Sequence, residues 1–124
     1  MFKISVRQAQ SRIPLTIFHI QGSINLETAP NLDQSISTAY ANGTRDALLD
    51  MSEVSAMTSA GLRSILMAYK LLDGNSAGSR SAVIKTPHLK LLKPSTDLRE
   101  VLRIAGFDAF IDIQEDLTDA IASF

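Results

Sequence analysis

Apolar and polar residues alternate strictly at the start of the chain, where Phe2, Ile4 and Val6 are separated by Lys3, Ser5 and Arg7. A period of two marks a strand with one wet face, lying at a sheet edge or over the core on one side only. The run PLTIFHI, residues 14–20, is a second β-rich segment, closed by Gly22, and it predicts a hairpin-like return from the first. Thr28 then caps a helix whose first turn tolerates Pro30. Its apolar positions Leu32, Ile36, Ala39 and Tyr40 recur at i, i+4, i+7 and i+8, and Asn42-Gly43 ends it. Residues 47–51, ALLDM, are apolar without alternation, as in a central strand covered on both faces.

The second half continues the alternation of element types. Leu62, Ile65, Leu66, Tyr69 and Leu72 form one stripe at helical spacing, which predicts a helix over about residues 59–73 with that stripe buried. The Gly- and Ser-rich stretch DGNSAGSRS, residues 73–81, reads as a mobile loop. Strand material resumes in AVIK (82–85) and LKLLK (89–93), and the pattern leaves open which is the main strand. Pro94, Ser95 and Thr96 open a helix that places Leu98, Val101, Leu102 and Ala105 on one face and stops at Gly106. AFIDI, residues 109–113, reads as a final strand, and Leu117, Ala120, Ile121 and Phe124 as the stripe of a terminal helix. With no internal repeat, the alternation predicts an α/β domain over residues 1–124, a partly parallel sheet with helices packed against it.

Composition narrows the function classes. A chain of 124 residues with 12 basic and 13 acidic side chains has a net charge of -1 and no basic stripe, which argues against a nucleic-acid partner. The absence of cysteine removes thiol catalysis, disulfides and thiolate metal sites, and makes a cytoplasmic location the default expectation. No apolar stretch approaches the ~20 residues that cross a bilayer, and no signal-peptide pattern opens the sequence, so no direct membrane insertion is expected.

The candidate chemistry is sparse. Gly74-Asn75-Ser76-Ala77-Gly78 spells the nucleophile elbow G-x-S-x-G, but that motif needs a strand-to-helix turn, and here it follows a helix in a loop. His19 within a strand and His88 after Pro87 lack metal-ligand spacing and read as structural or solvated. No phosphate-cradling glycine motif occurs, and no cofactor or metal is implied. Asn42-Gly43-Thr44 has the form of a glycosylation sequon but reads as helix end and turn. Asp50 follows the buried strand without a second well-placed carboxylate, so it is read as binding backbone amides in a turn rather than as catalytic. What remains is the hydroxyl pair Thr58-Ser59 at a helix start.

These residues carry a resemblance. LLDMSEVSAMTSAGLRSILMAYKLL resembles the signature of STAS domains, the family of bacterial anti-sigma factor antagonists, in which an apolar strand ending in Asp leads through a short turn to Asp-Ser-x-Gly-Leu and a helix. GSINLETAP and LKLLKPSTDLREVLRIAGF resemble two further segments of the family in the same order. The resemblance implies a small mixed β-sheet with helices mainly on one face, and a partner-switching adaptor rather than an enzyme. It also implies that Ser59 is the acceptor for an anti-sigma factor that is a serine kinase, and that a phosphatase acts on the phosphorylated form. Gly61 and Leu62 match the positions that follow, whereas Thr58 stands where the family carries aspartate and is the alternative acceptor. Asn25 likewise stands where many members have aspartate. The implied partner surface comprises Thr58, Ser59, Gly61, Arg63 and Met67, and helical spacing puts Ser59, Arg63 and Met67 on one face. Thr58 also keeps a second expectation open: a non-phosphorylated STAS interaction module, such as an accessory subunit of a membrane transporter or a scaffold component.

Overall fold

A computed structural model describes residues 1–74 and 85–124. The chain begins with β1 (Lys3–Gln10) and β2 (Pro14–Ile24), which pair antiparallel, with Ser5 opposite His19 and Arg7 opposite Ile17. Helix α1 (Ala29–Ala41) leads to β3 (Ala47–Met57), and α2 (Ser59–Asp73) follows at once. After the undescribed stretch come β4 (Leu89–Leu92), α3 (Thr96–Ile104), a single 3-10 turn (Phe107–Ala109), β5 (Asp112–Gln114) and α4 (Leu117–Ala122). The sheet order is β1-β2-β3-β4-β5, and every pairing after the first is parallel because a helical crossover separates the strands. The mixed sheet and the edge position of the first strand agree with the reading of the sequence.

The sheet is dry on both faces at its centre. On one face Phe18, Ile20, Leu49, Met51, Leu89 and Leu91 join Leu32 and Ile36 of α1, Ile65 and Ala68 of α2, and Leu98 and Leu102 of α3. On the other, Leu15, Ile17, Leu48 and Leu92 are covered by Ala120 and Phe124 of the α4 region, with Ala9, Ile13 and Ile121 packed at the margin. Lys90 secures that cover, donating from Nζ to the Ser123 carbonyl at 3.0 Å and the Ser123 hydroxyl at 2.9 Å. Successive residues of one strand therefore serve different cores, which is why ALLDM shows no alternation.

Four expectations need correction. Gly22 does not close β2 but stands inside it, with φ +101° and Met1 so near that a Cβ would lie 2.5 Å from the Met1 carbonyl oxygen. Strand β3 does not stop at residue 51; it runs to Met57 because β2 continues to offer it backbone partners after β4 has ended opposite Asp50. In α2 the buried positions are Gly61, Ser64, Ile65, Ala68, Leu72 and Asp73, so the stripe is rotated from the one predicted, and Leu62, Leu66 and Tyr69 are its half-buried margins. Small residues at 61, 64 and 68 take the seam because they permit close approach, and the larger side chains splay to either side. Lastly, the final strand begins at Asp112 rather than at residue 109. Gly106, at φ +84°, turns the chain so that Phe107, Phe110 and Ile111 plug the core, Phe110 packing 4.7 Å from the Tyr69 ring, and only Asp112–Gln114 pair with β4. The main strand of the open pair is 89–92. Residues 82–84 of AVIK and the motif over 74–78 after Gly74 lie outside the described residues.

Candidate functional site

Backbone polarity builds the site at the junction of β3 and α2. Thr58 is extended, with φ -93° and ψ -178°, and its N–H donates to the Ile24 carbonyl at 3.0 Å, fixing the end of β3 to the end of β2. Its hydroxyl oxygen accepts from the Ala60 N–H at 3.3 Å, and its carbonyl accepts from Gly61 and Leu62. Thr58 is thus the N-cap, and Ser59 is the first helical residue. Both are exposed, and the first turn of α2 carries no acidic side chain, so the positive end of the helix is uncompensated by a carboxylate of its own.

A second loop flanks these hydroxyls. The Asn25 side-chain oxygen accepts from the N–H groups of Glu27 and Thr28 at 2.9 and 3.0 Å, while the Thr28 hydroxyl donates to the Ser23 carbonyl at 2.7 Å. The amide of Asn25 therefore does by hydrogen bonding what an aspartate could do there, and Thr28 is spent on the loop rather than on capping α1. The loop presents Leu26, 83% exposed, and Asn25, Leu26 and Glu27 share one open depression with Thr58, Ser59 and Ala60.

From this depression an exposed ridge runs along α2 through Ser59, Arg63 and Met67, the last 51% exposed. Beside it lies a shallow groove of about 390 Å³ between α1 and α2, lined by Ile36, Ser64, Met67, Ala68 and Leu71 among others. Gly61 is not on this surface. It is buried beneath it, and a Cβ there would come within 2.3 Å of Met57 Cγ. Its part is to let the helix sit on the strand, so a direct contact with a partner is replaced by a packing role.

A cluster on the far face of the sheet was not legible as such. His19 Nδ1 lies 2.8 Å from Asp50 Oδ2, and its Nε2 lies 2.6 Å from Glu53 Oε2. In a regular strand the neighbour of Asp50 on the same face would be Ser52. The register shift between the His19 and Gln21 pairings inserts one extra residue into β3 and brings Glu53 opposite Gln21. The hydrogen bond to Asp50 raises the His19 pKa above its ordinary 6.5; partial burial opposes this, and the bond to Glu53 adds to it. For Asp50, burial pushes upward, but the bonds from His19 and from the backbone and hydroxyl of Ser52 outweigh it and hold the carboxyl below its ordinary 3.8. The reading of Asp50 as an acceptor of a backbone amide is met through Ser52, within a bulged strand rather than a turn. The two carboxylates sit on opposite nitrogens of one ring, so they do not converge on a single ion, and no metal-binding group of three such side chains occurs among the described residues.

The other candidates take ordinary places. His88 Nδ1 lies 2.9 Å from Asp46 Oδ1, and Asn42-Gly43 ends α1, with the Thr44 hydroxyl 2.7 Å from that of Thr16. No helix among the described residues is long and apolar enough to cross a membrane.

Comparison with known proteins matches this geometry to one family. The family described as the STAS domain matches residues 4–120. A Bordetella bronchiseptica protein described as a candidate anti-sigma factor antagonist, BtrV, is 27% identical over 105 residues, 85% of this chain and 82% of that protein. The crystal structure of an anti-sigma factor antagonist from Mycobacterium paratuberculosis superposes with a TM-score of 0.80 at 20% identity, covering 99% of this chain and 93% of that one. The Bacillus cell fate determinant SpoIIAA in its phosphorylated form superposes with a TM-score of 0.67 at 18% identity, covering 96% of each chain.

Proposed function

The chain belongs to the STAS domain family, and from that membership we propose that it is an anti-sigma factor antagonist that works by phosphorylation-controlled partner switching. Unmodified, it binds an anti-sigma factor and so releases a sigma factor; phosphorylated on Ser59, it lets go. The anti-sigma factor is a serine kinase, a phosphatase resets the switch, and this cytoplasmic protein is the substrate of both rather than an enzyme. The observation that carries the reading is the exposed Ser59 hydroxyl at the first residue of α2, on a ridge shared with Arg63 and Met67.

Physical chemistry explains how one phosphate could reverse binding without unfolding the domain. At a helix N-terminus an anion is favoured by ~0.3–1 kcal/mol when exposed, and Arg63 lies one turn along the same face, so the modified protein keeps its fold. The interface fares differently. A phosphate adds about -1.5 to -2 charges that a partner must desolvate, and a loss of ~2.7 kcal/mol weakens binding about a hundredfold.

Incubation with ATP and the anti-sigma factor kinase, followed by mass spectrometry, tests the assignment. Label on Ser59 that disappears in Ser59→Ala supports it. Label that persists in Ser59→Ala and vanishes in Thr58→Val moves the switch to Thr58. Absence of label with tight partner binding supports the module that is not phosphorylated, which the threonine in place of the family's aspartate favours.

A further inference from the structure

Among the described residues, the half of β3 that delivers Thr58 and Ser59 is held on one side. Over Ala47–Asp50 the strand has β2 on one flank and β4 on the other, and from Met51 to Met57 the described pairing is with β2. Two register shifts interrupt that pairing, between His19 and Gln21 and between Gly22 and Ser23. Side chains bridge these shifts. His19 spans the first, from Asp50 to Glu53, and the Ser23 and Ser55 hydroxyls meet at 3.1 Å near the second.

We propose that His19, as an imidazolium, is a positioning residue for the phosphoacceptor end of β3, so that presentation of Ser59 depends on a single proton. The inference rests on the reading of Ser59 given above and adds its regulation. Both partners of the ring are carboxylates, which only accept when ionised, so both bonds require a hydrogen on Nδ1 and on Nε2. A neutral ring has one N–H and must turn a lone pair toward one carboxylate. Glu53 is the more exposed partner, at 54% against 16% for Asp50, and Asp50 is further tied by Ser52, so Glu53 is the one released. Four residues beyond Glu53 the strand ends at Met57, and the cap of α2 begins.

The charged groups on this face come from four strands. Asp50 and Glu53 belong to β3; from β1, Lys3 lies opposite Gln21 and Arg7 opposite Ile17, flanking the Ser5–His19 pair. Lys90 of β4 lies opposite Leu48 and Asp112 of β5 opposite Lys90, these two 3.8 Å apart and with the Lys90 ammonium held by Ser123. The cations leave the donor count of the ring unchanged, because none of them supplies the hydrogen that each ring nitrogen must present to its carboxylate.

The discriminating variant is Glu53→Gln. A glutamine amide accepts from a protonated Nε2 and donates to an unprotonated one, so the bridge survives loss of the proton. The experiment measures amide hydrogen exchange of Val54–Met57 and Thr58, corrected for intrinsic exchange, from about pH 5.5 to about pH 8.5, the range in which histidine titrates. NMR of the His19 ring gives its protonation state in the same samples. In the wild-type protein, exchange in this segment rises by roughly three- to tenfold as the ring deprotonates, the worth of one partly exposed charge-assisted hydrogen bond. In Glu53→Gln it stays flat. Wild-type exchange that does not follow the ring titration, or an unchanged pH profile in Glu53→Gln, overturns the proposal. With kinase and ATP present, the rate of Ser59 labelling follows the same two profiles, and a labelling profile identical in both proteins also overturns it. A protein that shows the exchange behaviour but is never labelled at any pH counts against Ser59 as acceptor and not against the role of His19 in holding β3.

Discussion

Gly61 and Met57 occupy the same small space across the strand-to-helix junction: a Cβ on the glycine would lie 2.3 Å from Met57 Cγ and 3.0 Å from both Met57 Sδ and Ile24 Cγ2. Ser59 stands between the two in sequence and points outward, so the closeness of this packing sets how the hydroxyl is displayed. Gly61→Ala is expected to cost roughly 1–3 kcal/mol, because the methionine must leave its rotamer or the helix must lift. Met57→Ala in the same chain should recover much of the loss, and a thermodynamic cycle of thermal midpoints checks the coupling.

Thr58 contributes a cap whatever its regulatory part. Thr58→Ala should lower stability by about 1 kcal/mol, while Thr58→Asp should be neutral or slightly stabilising, since a carboxylate both caps and meets the positive helix end. If the family's aspartate assists recognition, Thr58→Asp is also phosphorylated faster at limiting kinase. Denaturant midpoints and initial labelling rates measure the two effects separately.

Ser59→Asp separates switching from folding. Its stability should stay within about 0.5 kcal/mol of the parent, as for other exposed substitutions, while partner affinity falls. Calorimetric titration at two salt concentrations would show an effect that weakens with ionic strength. A variant that unfolds as readily as a core mutant would exclude Ser59 as an exposed switch.

The rotated stripe of α2 is testable through neighbouring residues. Ile65 is fully buried, so Ile65→Ala should cost ~2–5 kcal/mol. Leu66, at the half-buried margin, should lose about half as much on the same substitution because fewer of its atoms leave water. Equal losses would return the helix to the orientation expected from the sequence.

The His19 bridge makes stability depend on pH in two directions. His19 has a raised pKa in the folded state, so its stabilisation is complete below the ordinary 6.5 and is lost as pH rises through the folded value. Asp50 has a lowered pKa, so its contribution is present above the ordinary 3.8 and is lost as pH falls through the folded value. The cluster therefore stabilises most between about pH 4 and about pH 6.5. Thermal midpoints of the wild type should decline on the alkaline side more than those of His19→Gln.

Element order and type were legible where local signals agreed with tertiary structure. Thr28 to Asn42 bounds a real helix although the Thr28 side chain does not cap it, and Ser59 to Asp73 is bounded correctly at both ends, because helical spacing and the cap at Thr58 are local properties. What failed depended on neighbours distant in sequence. Ser52–Ala56 carry no strong strand pattern, and pairing with β2 keeps them extended. Phe110 and Ile111 look like strand residues, yet they pack with Phe107 as a plug because Tyr69 and the core lie beneath them. At the site, the hydroxyl pair and the ridge through Arg63 and Met67 follow from helical spacing alone. The His19 cluster does not, since Asp50 and Glu53 share a face only through an inserted residue that no reading of the sequence by itself reveals.

The strand order repeats the order of the sequence, and this has a bearing on synthesis. Each strand pairs with the one made just before it, so an emerging chain can extend the sheet at its free edge without reopening any pair already formed. Closure of the second face is the exception. Leu15, Ile17, Leu48 and Leu92 receive their cover from Ala120 and Phe124, so the nascent sheet carries a wet apolar surface until the segment after β5 has left the ribosome. Stalling in that interval should expose the domain to aggregation or chaperone capture, whereas stalling after residue 124 should not.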